Sequence, residues 1–284
     1  MKKAARSSGR RHRHDAGNVV ALTIAGSDPG GGAGIQADLK TFAALGVYGY
    51  SAITAVIAQN SSAVNRVAPV APAMIVAQIE TLAAERRPDA LKTGALGSAG
   101  IVNAVADSIS RLDLPSPVVD PVLISSAGVR LLEPAGERAL LRRLLPLARI
   151  VTPNLAEAQA LSGMDGASPA AIRAMARALT AAGARAVLIK GGHILSHSRG
   201  KSREESTDLF YDGREFVELR AARISGGGAH GLGCALSAAI AAYLAQRMEL
   251  LEAVRHAKRY VSTALRARFT LGAGRAVLGH FARK

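Results

Sequence analysis

The 284-residue chain carries a single cysteine, and its neighbours are those a reactive thiol needs. Cys234 closes the segment Ser225-Gly-Gly-Gly-Ala-His-Gly-Leu-Gly-Cys234 and opens an alanine-rich apolar stretch. Glycines let successive backbone N–H groups converge, and a helix N-terminus adds partial positive charge. Gly231 and Gly233 would thus frame a site for a phosphate in transfer. The same helix dipole would draw Cys234 toward thiolate, ready to take a proton from a substrate hydroxyl as a general base. A lone cysteine also serves as a small buried hydrophobe at a helix start; the preceding glycine run favours chemistry.

A second glycine-rich segment, Gly26-Ser-Asp-Pro-Gly-Gly-Gly-Ala-Gly34, also lies between an apolar run and a helical pattern. It contains Gly32, Gly34 and Ala37 at dinucleotide-fingerprint spacing. That reading needs an acidic residue about 20 positions on to hold the ribose, and none lies between Leu39 and Ile79. A P-loop fails as well, because no Lys-Ser/Thr pair follows the glycines. The functional reading left is a backbone-lined substrate pocket with Asp28 as its polar anchor; the bland one is a tight structural turn.

A third group of polar residues stands at the ends of apolar runs: Asp120, Asn154 with Glu157, and Lys190 before Gly191-Gly192. Carboxylate and amide suit Mg²⁺ and its waters, and lysine suits nucleotide phosphates. Singly, each is as readily a cap or an ion pair, and Asn154 has the position of a helix N-cap. His193 and His197 have the spacing of a metal pair, but they fall in a polar loop over 194–206, so no metal site built from protein groups alone is expected.

These residues must be positioned by strands and helices in alternation. Continuous apolar runs at 19–25, 50–58, 90–93, 117–120, 149–151 and 186–190 predict buried strands. Helical spacing recurs over 35–45, 72–85, 99–112, 133–147, 155–162, 169–182, 231–246 and 249–268, with proline in the first turn at Pro72 and Pro169. That order predicts a parallel sheet covered on both faces, with ligands beyond the carboxyl ends of its strands. Runs at 207–211 and 214–219 flank Asp212-Gly213, a hairpin signal, and predict an antiparallel pair at one edge. No internal repeat or long linker splits residues 18–284, so one α/β domain is expected.

Composition narrows the function classes. Hydrophobic residues make up 49% and charged residues 20%, as in a globular chain. No apolar run is long enough to span a bilayer. One cysteine excludes an internal disulfide and fits a reducing, cytoplasmic setting. The formal charge of +15 suggests nucleic acid at first sight. Residues 1–17, however, hold six Lys or Arg against one Asp and read as a disordered basic tail. The remaining excess is arginine scattered over helix faces. Aromatics are 4% and not interleaved with the basic residues, so neither a stacking platform nor a nucleic-acid partner is expected.

Seven stretches together carry a family resemblance: AGSDPGGGAGIQADLKTFAALGVYGYSAITAVIAQN (25–60), LKTGAL (91–96), VVDPV (118–122), TPNLAEA (152–158), VLIKGGH (187–193), DLFYDG (208–213) and HGLGCALSAAIAA (230–242). In order and spacing the chain resembles the hydroxymethylpyrimidine/phosphomethylpyrimidine kinases of the ribokinase-like superfamily. Cysteine after HG-x-G sets that family apart from sugar kinases, which have aspartate there.

The resemblance implies a ribokinase-like three-layer sandwich, usually homodimeric. It also implies ATP- and Mg²⁺-dependent phosphorylation of 4-amino-5-hydroxymethyl-2-methylpyrimidine and then of its monophosphate, in thiamine biosynthesis. Carried over, Gln59 would bond the pyrimidine, and Gly26, Asp28, Ala33, Ala95 and Val122 would line its pocket. Lys190 would bind ATP phosphates, with Asp120, Asn154 and Glu157 in the Mg²⁺–nucleotide region. Gly231 and Gly233 would form the anion hole and Cys234 would be the base. The sequence departs from the pattern at Ala229 and Leu232, where the family usually has threonine, at Ala95, where it has methionine, and at Ser126-Ala127, where it has a polar pair. The loss of a hydroxyl at Leu232 predicts a slower kinase. A pyridoxal or pyridoxine kinase, a catalytically weakened pyrimidine sensor and a nucleic-acid-associated protein are the competing readings.

Overall fold

The computed structural model describes residues 19–60, 63–125, 128–191, 205–225, 227–272 and 275–282. The basic tail, the histidine pair, most of the 194–206 loop and the Ser126-Ala127 departure lie outside the described residues.

Eight strands form the central sheet: β1 (Val20–Ala25), β2 (Tyr48–Ile53), β5 (Ala90–Thr93), β6 (Val118–Val119), β7 (Ile150–Val151), β8 (Val187–Ile189), β9 (Glu205–Tyr211) and β10 (Phe216–Ala222). Their order is β10-β9-β8-β7-β6-β5-β1-β2. The pairs from β2 to β8 are parallel; β9 joins β8 antiparallel and β10 joins β9 antiparallel. The edge hairpin turns at Asp212, whose carboxylate accepts the Arg214 and Glu215 amides, each at 2.8 Å. The mostly parallel sheet and edge hairpin expected from sequence are both present.

Alternation along each strand builds the three layers. Leu22, Val119, Val151 and Val187 point into one core, with Ile101, Ile109, Ile172 and Leu179. Those last four come from α3 (Ala99–Arg111) and α6 (Pro169–Ala181). The same layer holds α2 (Pro72–Glu85), α4 (Pro134–Ala139) and α5 (Leu155–Ser162). Ala21, Val118, Ile150 and Leu188 point into the other core. There they meet α1 (Gly34–Ala44), α7 (Leu232–Ala245) and α8 (Leu250–Arg266). Adjacent residues thus serve opposite cores, which is why these strands read as unbroken apolar runs. Alanines at 238, 239, 241 and 242 are fully buried and let α7 lie close against the sheet.

Two expectations need correction, and one strand pair lies beyond them. The run at 50–58 is two strands, because the backbone leaves the sheet at Thr54. Its amide donates to Ala25 O and its hydroxyl to Ala95 O. Beyond it, β3 (Ala55–Gln59) pairs antiparallel with β4 (Val64–Pro69) in a separate hairpin. The helix over 133–147 is α-helical only to Ala139, then a π turn over Leu140–Leu144 and a 3₁₀ turn over Leu145–Leu147. Pro146 lacks an N–H and crowds the preceding turn, so regular α bonding cannot continue. A short pair, β11 (Phe269–Thr270) with β12 (Ala276–Val277), follows α8 and has no counterpart in the sequence reading.

Candidate active site

The carboxyl ends of β1, β5, β6, β7 and β8 open onto one cavity, roofed on one side by the β3–β4 hairpin. Gly26, Ala33, Gln59, Ala95 and Val122 line it on one flank. Asp120, Asn154, Glu157, Lys190, Gly231, Gly233 and Cys234 line the remainder. Twelve of the thirteen residues singled out from sequence therefore share one space, the exception being Asp28.

Asp28 is buried beneath the cavity wall and organises the loop above it. Its carboxylate accepts the amides of Gly30 at 3.0 Å, Gly32 at 3.0 Å and Ala33 at 2.7 Å, and meets His230 Nε2 at 3.1 Å. Burial pushes the carboxyl up, but hydrogen bonds from His230, Gln59 and the Ala33 amide outweigh it and hold the pKa at about 2. Asp28 is therefore a loop clamp, where the sequence suggested a polar group facing substrate. The clamp draws the two glycine-rich segments together. Gly231 has φ +81°, and a Cβ there would collide with the Gly32 carbonyl, so only glycine closes this contact.

Cys234 stands in the first turn of α7, half-buried. Its Sγ accepts the amide of Gly34, the first residue of α1, so two helix N-termini face the sulfur. The expectation of a thiol drawn toward thiolate is nevertheless overturned. Desolvation pushes it up to about 11, Asp38 and Asp120 add to the rise, and Lys92 offsets only part of it. Burial and the two carboxylates favour the neutral thiol.

Opposite α7, Lys190 Nζ lies 3.1 Å from Asp120 Oδ1 and 4.0 Å from Glu157 Oε2. Burial alone would lower the lysine, but both carboxylates raise it and keep it charged. Burial raises Asp120 too, yet Lys190 and Lys92 draw it below the usual range, while desolvation and then Asp120 push Glu157 up. Asn154 is the N-cap of α5: its side chain accepts the Glu157 amide, and the Glu157 carboxylate accepts the Asn154 amide. This capping box aligns both residues at the rim. A Cβ on Gly233 would lie 3.2 Å from Lys190 Nζ, so the start of α7 and the lysine border the same small space. Among the described residues, no three His, Cys, Asp or Glu side chains gather in a way that would hold a metal ion.

Sequence reasoning missed Lys92, His230, Ile57 and Leu131, all cavity-lining. Lys92 had a signal, a lone charge inside the apolar run of β5. The Leu232 side chain packs against the core under α7 and α8 and is not among the cavity-lining residues.

Comparison with known proteins identifies the family. The family model described as phosphomethylpyrimidine kinase matches residues 28–278. The hydroxymethylpyrimidine/phosphomethylpyrimidine kinase of Rhizobium meliloti is 47% identical over 268 residues, spanning 93% of this chain and 98% of that one. The thiamine biosynthesis bifunctional protein of Geobacter sulfurreducens is 42% identical over 91% of this chain and 51% of its own length. Among solved structures, the Staphylococcus aureus pyridoxal kinase with AMP-PCP and pyridoxal superposes at TM-score 0.83, with 36% identity over 93% of this chain and 94% of that one. With fold, motif order and full-length identity in agreement, the chain belongs to the phosphomethylpyrimidine kinase family.

Proposed function

We propose that this chain transfers the terminal phosphoryl group of ATP to the hydroxymethyl oxygen of 4-amino-5-hydroxymethyl-2-methylpyrimidine, and then to the phosphate of the resulting monophosphate. These are steps toward thiamine, taken in the cytoplasm by a homodimer whose kinase domain is residues 18–284. The observation that carries the reading is the single cavity in which Cys234, the N-terminus of α7 and the Lys190–Asp120 pair face one another. Catalysis of phosphoryl transfer rests mainly on positioning and on stabilising charge at the transferred group. Here the backbone amides from Gly231 to Cys234 take the anion from one side and Lys190 from the other. Asp120, Asn154 and Glu157 would border the Mg²⁺ that accompanies the nucleotide, which would supply neutralisation of phosphate charge.

The remaining residues place the acceptor. Gln59, at the bulged end of β3, bonds Asp28 and lines the cavity, where its side chain would meet the heterocycle. Gly26, Ala33, Ala95 and Val122 form the walls around the ring, with the Asp28 carboxylate holding the Ala33 amide in place. Cys234 Sγ receives the hydroxyl proton as the oxygen attacks phosphorus.

The pyridoxal-bound neighbour supports a second reading, since pyridoxal is also a six-membered nitrogen heterocycle bearing a hydroxymethyl group. ADP formation measured with the hydroxymethylpyrimidine, its monophosphate, pyridoxal and pyridoxine separates the two. Turnover on both pyrimidines is expected. Turnover on the vitamin B6 forms alone overturns the first reading, and pyrimidine binding without ATP consumption makes the chain a sensor.

A further inference from the structure

Lys92 has no part in the chemistry described so far, yet it is fully buried on β5 directly beneath the cavity. Its Nζ lies 2.7 Å from Asp38 Oδ2, which also accepts the Thr23 hydroxyl at 2.6 Å. Asp38 is fully buried too, and its second oxygen has no hydrogen-bond partner among the described residues. A buried ion pair is costly to desolvate and adds stability only when its geometry and remaining hydrogen bonds are complete. This pair is incomplete, so packing alone does not account for it.

Its position does. The α7 helix packs directly over β5, β1 and β6, and brings Cys234 to the same cavity as Lys92. Four charged groups act on the sulfur: Lys92 from β5, Asp38 from α1, Asp120 after β6 and Lys190 after β8. His230 stands on the cysteine's own segment, with its ring turned to Asp28. Both carboxylates oppose a negative sulfur, and Lys190 is engaged by Asp120 and Glu157. Lys92 is the completely enclosed cation of the set, and within that enclosure its field is least screened by water.

We propose that Lys92 is a positioning residue for phosphoryl transfer, supplying the buried positive charge that makes a thiolate at Cys234 accessible, with Asp38 as the anchor that holds the ammonium in place. This rests on the reading of Cys234 as the base. The lysine touches neither the transferred phosphoryl group nor the heterocycle; it acts through the sulfur.

Because Cys234 is the chain's single cysteine, its alkylation by iodoacetamide reports this site alone. In the full chain at fixed alkaline pH, Lys92→Met is expected to slow alkylation at least about fivefold by removing the enclosed compensating charge. Turnover should fall by a similar factor with both KM values kept. An unfolded chain would alkylate faster, since its thiol returns to the ordinary range, so slowing cannot be mistaken for loss of structure. Should Lys92→Met not fold, Lys92→Met/Asp38→Leu replaces the pair by apolar groups of similar size, and a smaller slowing is expected, because Asp38, which opposes a negative sulfur, is lost with the lysine. Alkylation at or above the parent rate in either folded variant overturns the proposal. Parental turnover in Cys234→Ala would instead bring down the base reading, while leaving the alkylation result to stand or fall separately.

Discussion

His230 Nε2 sits 3.1 Å from Asp28 Oδ2, across 202 positions of sequence, and this contact fastens the two glycine-rich segments to each other. The carboxylate also carries three backbone amides, so its charge is engaged on every side the loop offers.

Asp28 should therefore leave its mark on acid stability. Its folded pKa of about 2 lies below the ordinary 3.8, so the charged form is favoured in the folded state. That stabilisation is fully present above the unfolded value and is lost as pH falls from 3.8 through about 2. The depression corresponds to about 2 kcal/mol. Acid unfolding followed by circular dichroism should show Asp28→Asn less stable near neutrality, with a shallower loss across that window. Parallel curves would show that the carboxylate's charge does not hold the clamp.

Gln59→Leu should weaken pyrimidine binding about 5–150-fold, the cost of about 1–3 kcal/mol for one lost buried polar contact. Nucleotide affinity should stay near the parent value. Calorimetry with each ligand separately checks this, and equal losses for both would mean that the hairpin itself is disturbed.

Cys234→Ala should reduce turnover about 10²–10⁴-fold with substrate binding largely kept, as for loss of a general base. With the thiol at about 11, the thiolate fraction, and hence turnover in the parent, should climb about tenfold per pH unit from neutrality upward until other groups titrate. A flat profile of kcat against pH over that range would exclude proton transfer to this sulfur as rate-limiting.

Leu232→Thr is expected to leave turnover close to the parent and to lower the melting temperature by a few degrees. The side chain packs against the α7–α8 core, and shortening it forfeits about 1 kcal/mol of apolar burial. A severalfold gain in kcat at saturating ATP would instead place residue 232 beside the transferred phosphoryl group.

Much of the architecture was legible because each strand of this sheet is buried on both faces. Val118-Val119 and Ile150-Val151 are only two residues long as strands, yet their apolar character and following polar residues marked them. The break at Thr54 was not legible, since β2 and β3 are both rich in strand-forming residues and nothing local signals that the chain changes partners. Long-range bonds to Ala25 and Ala95 decide it. Site residues at strand ends were visible as polar groups following apolar runs. The role of Asp28 was not, because a carboxylate in a glycine loop looks alike from sequence whether it faces a ligand or the loop's own amides. Nor was the state of Cys234, since helix position is a local property and desolvation is not.

The Asp28–His230 contact also bears on how the molecule is made. A nascent chain that has folded its first strands still lacks His230 and α7, and with them the partner of Asp28 and the thiol. No shorter intermediate on the ribosome holds a complete pocket, and contacts of such long sequence separation form late and slowly. A ligand that spans the cavity thus binds only the finished protein, and by mass action it holds the chain there. Substrate supply and the lifetime of the folded enzyme are in this way one equilibrium.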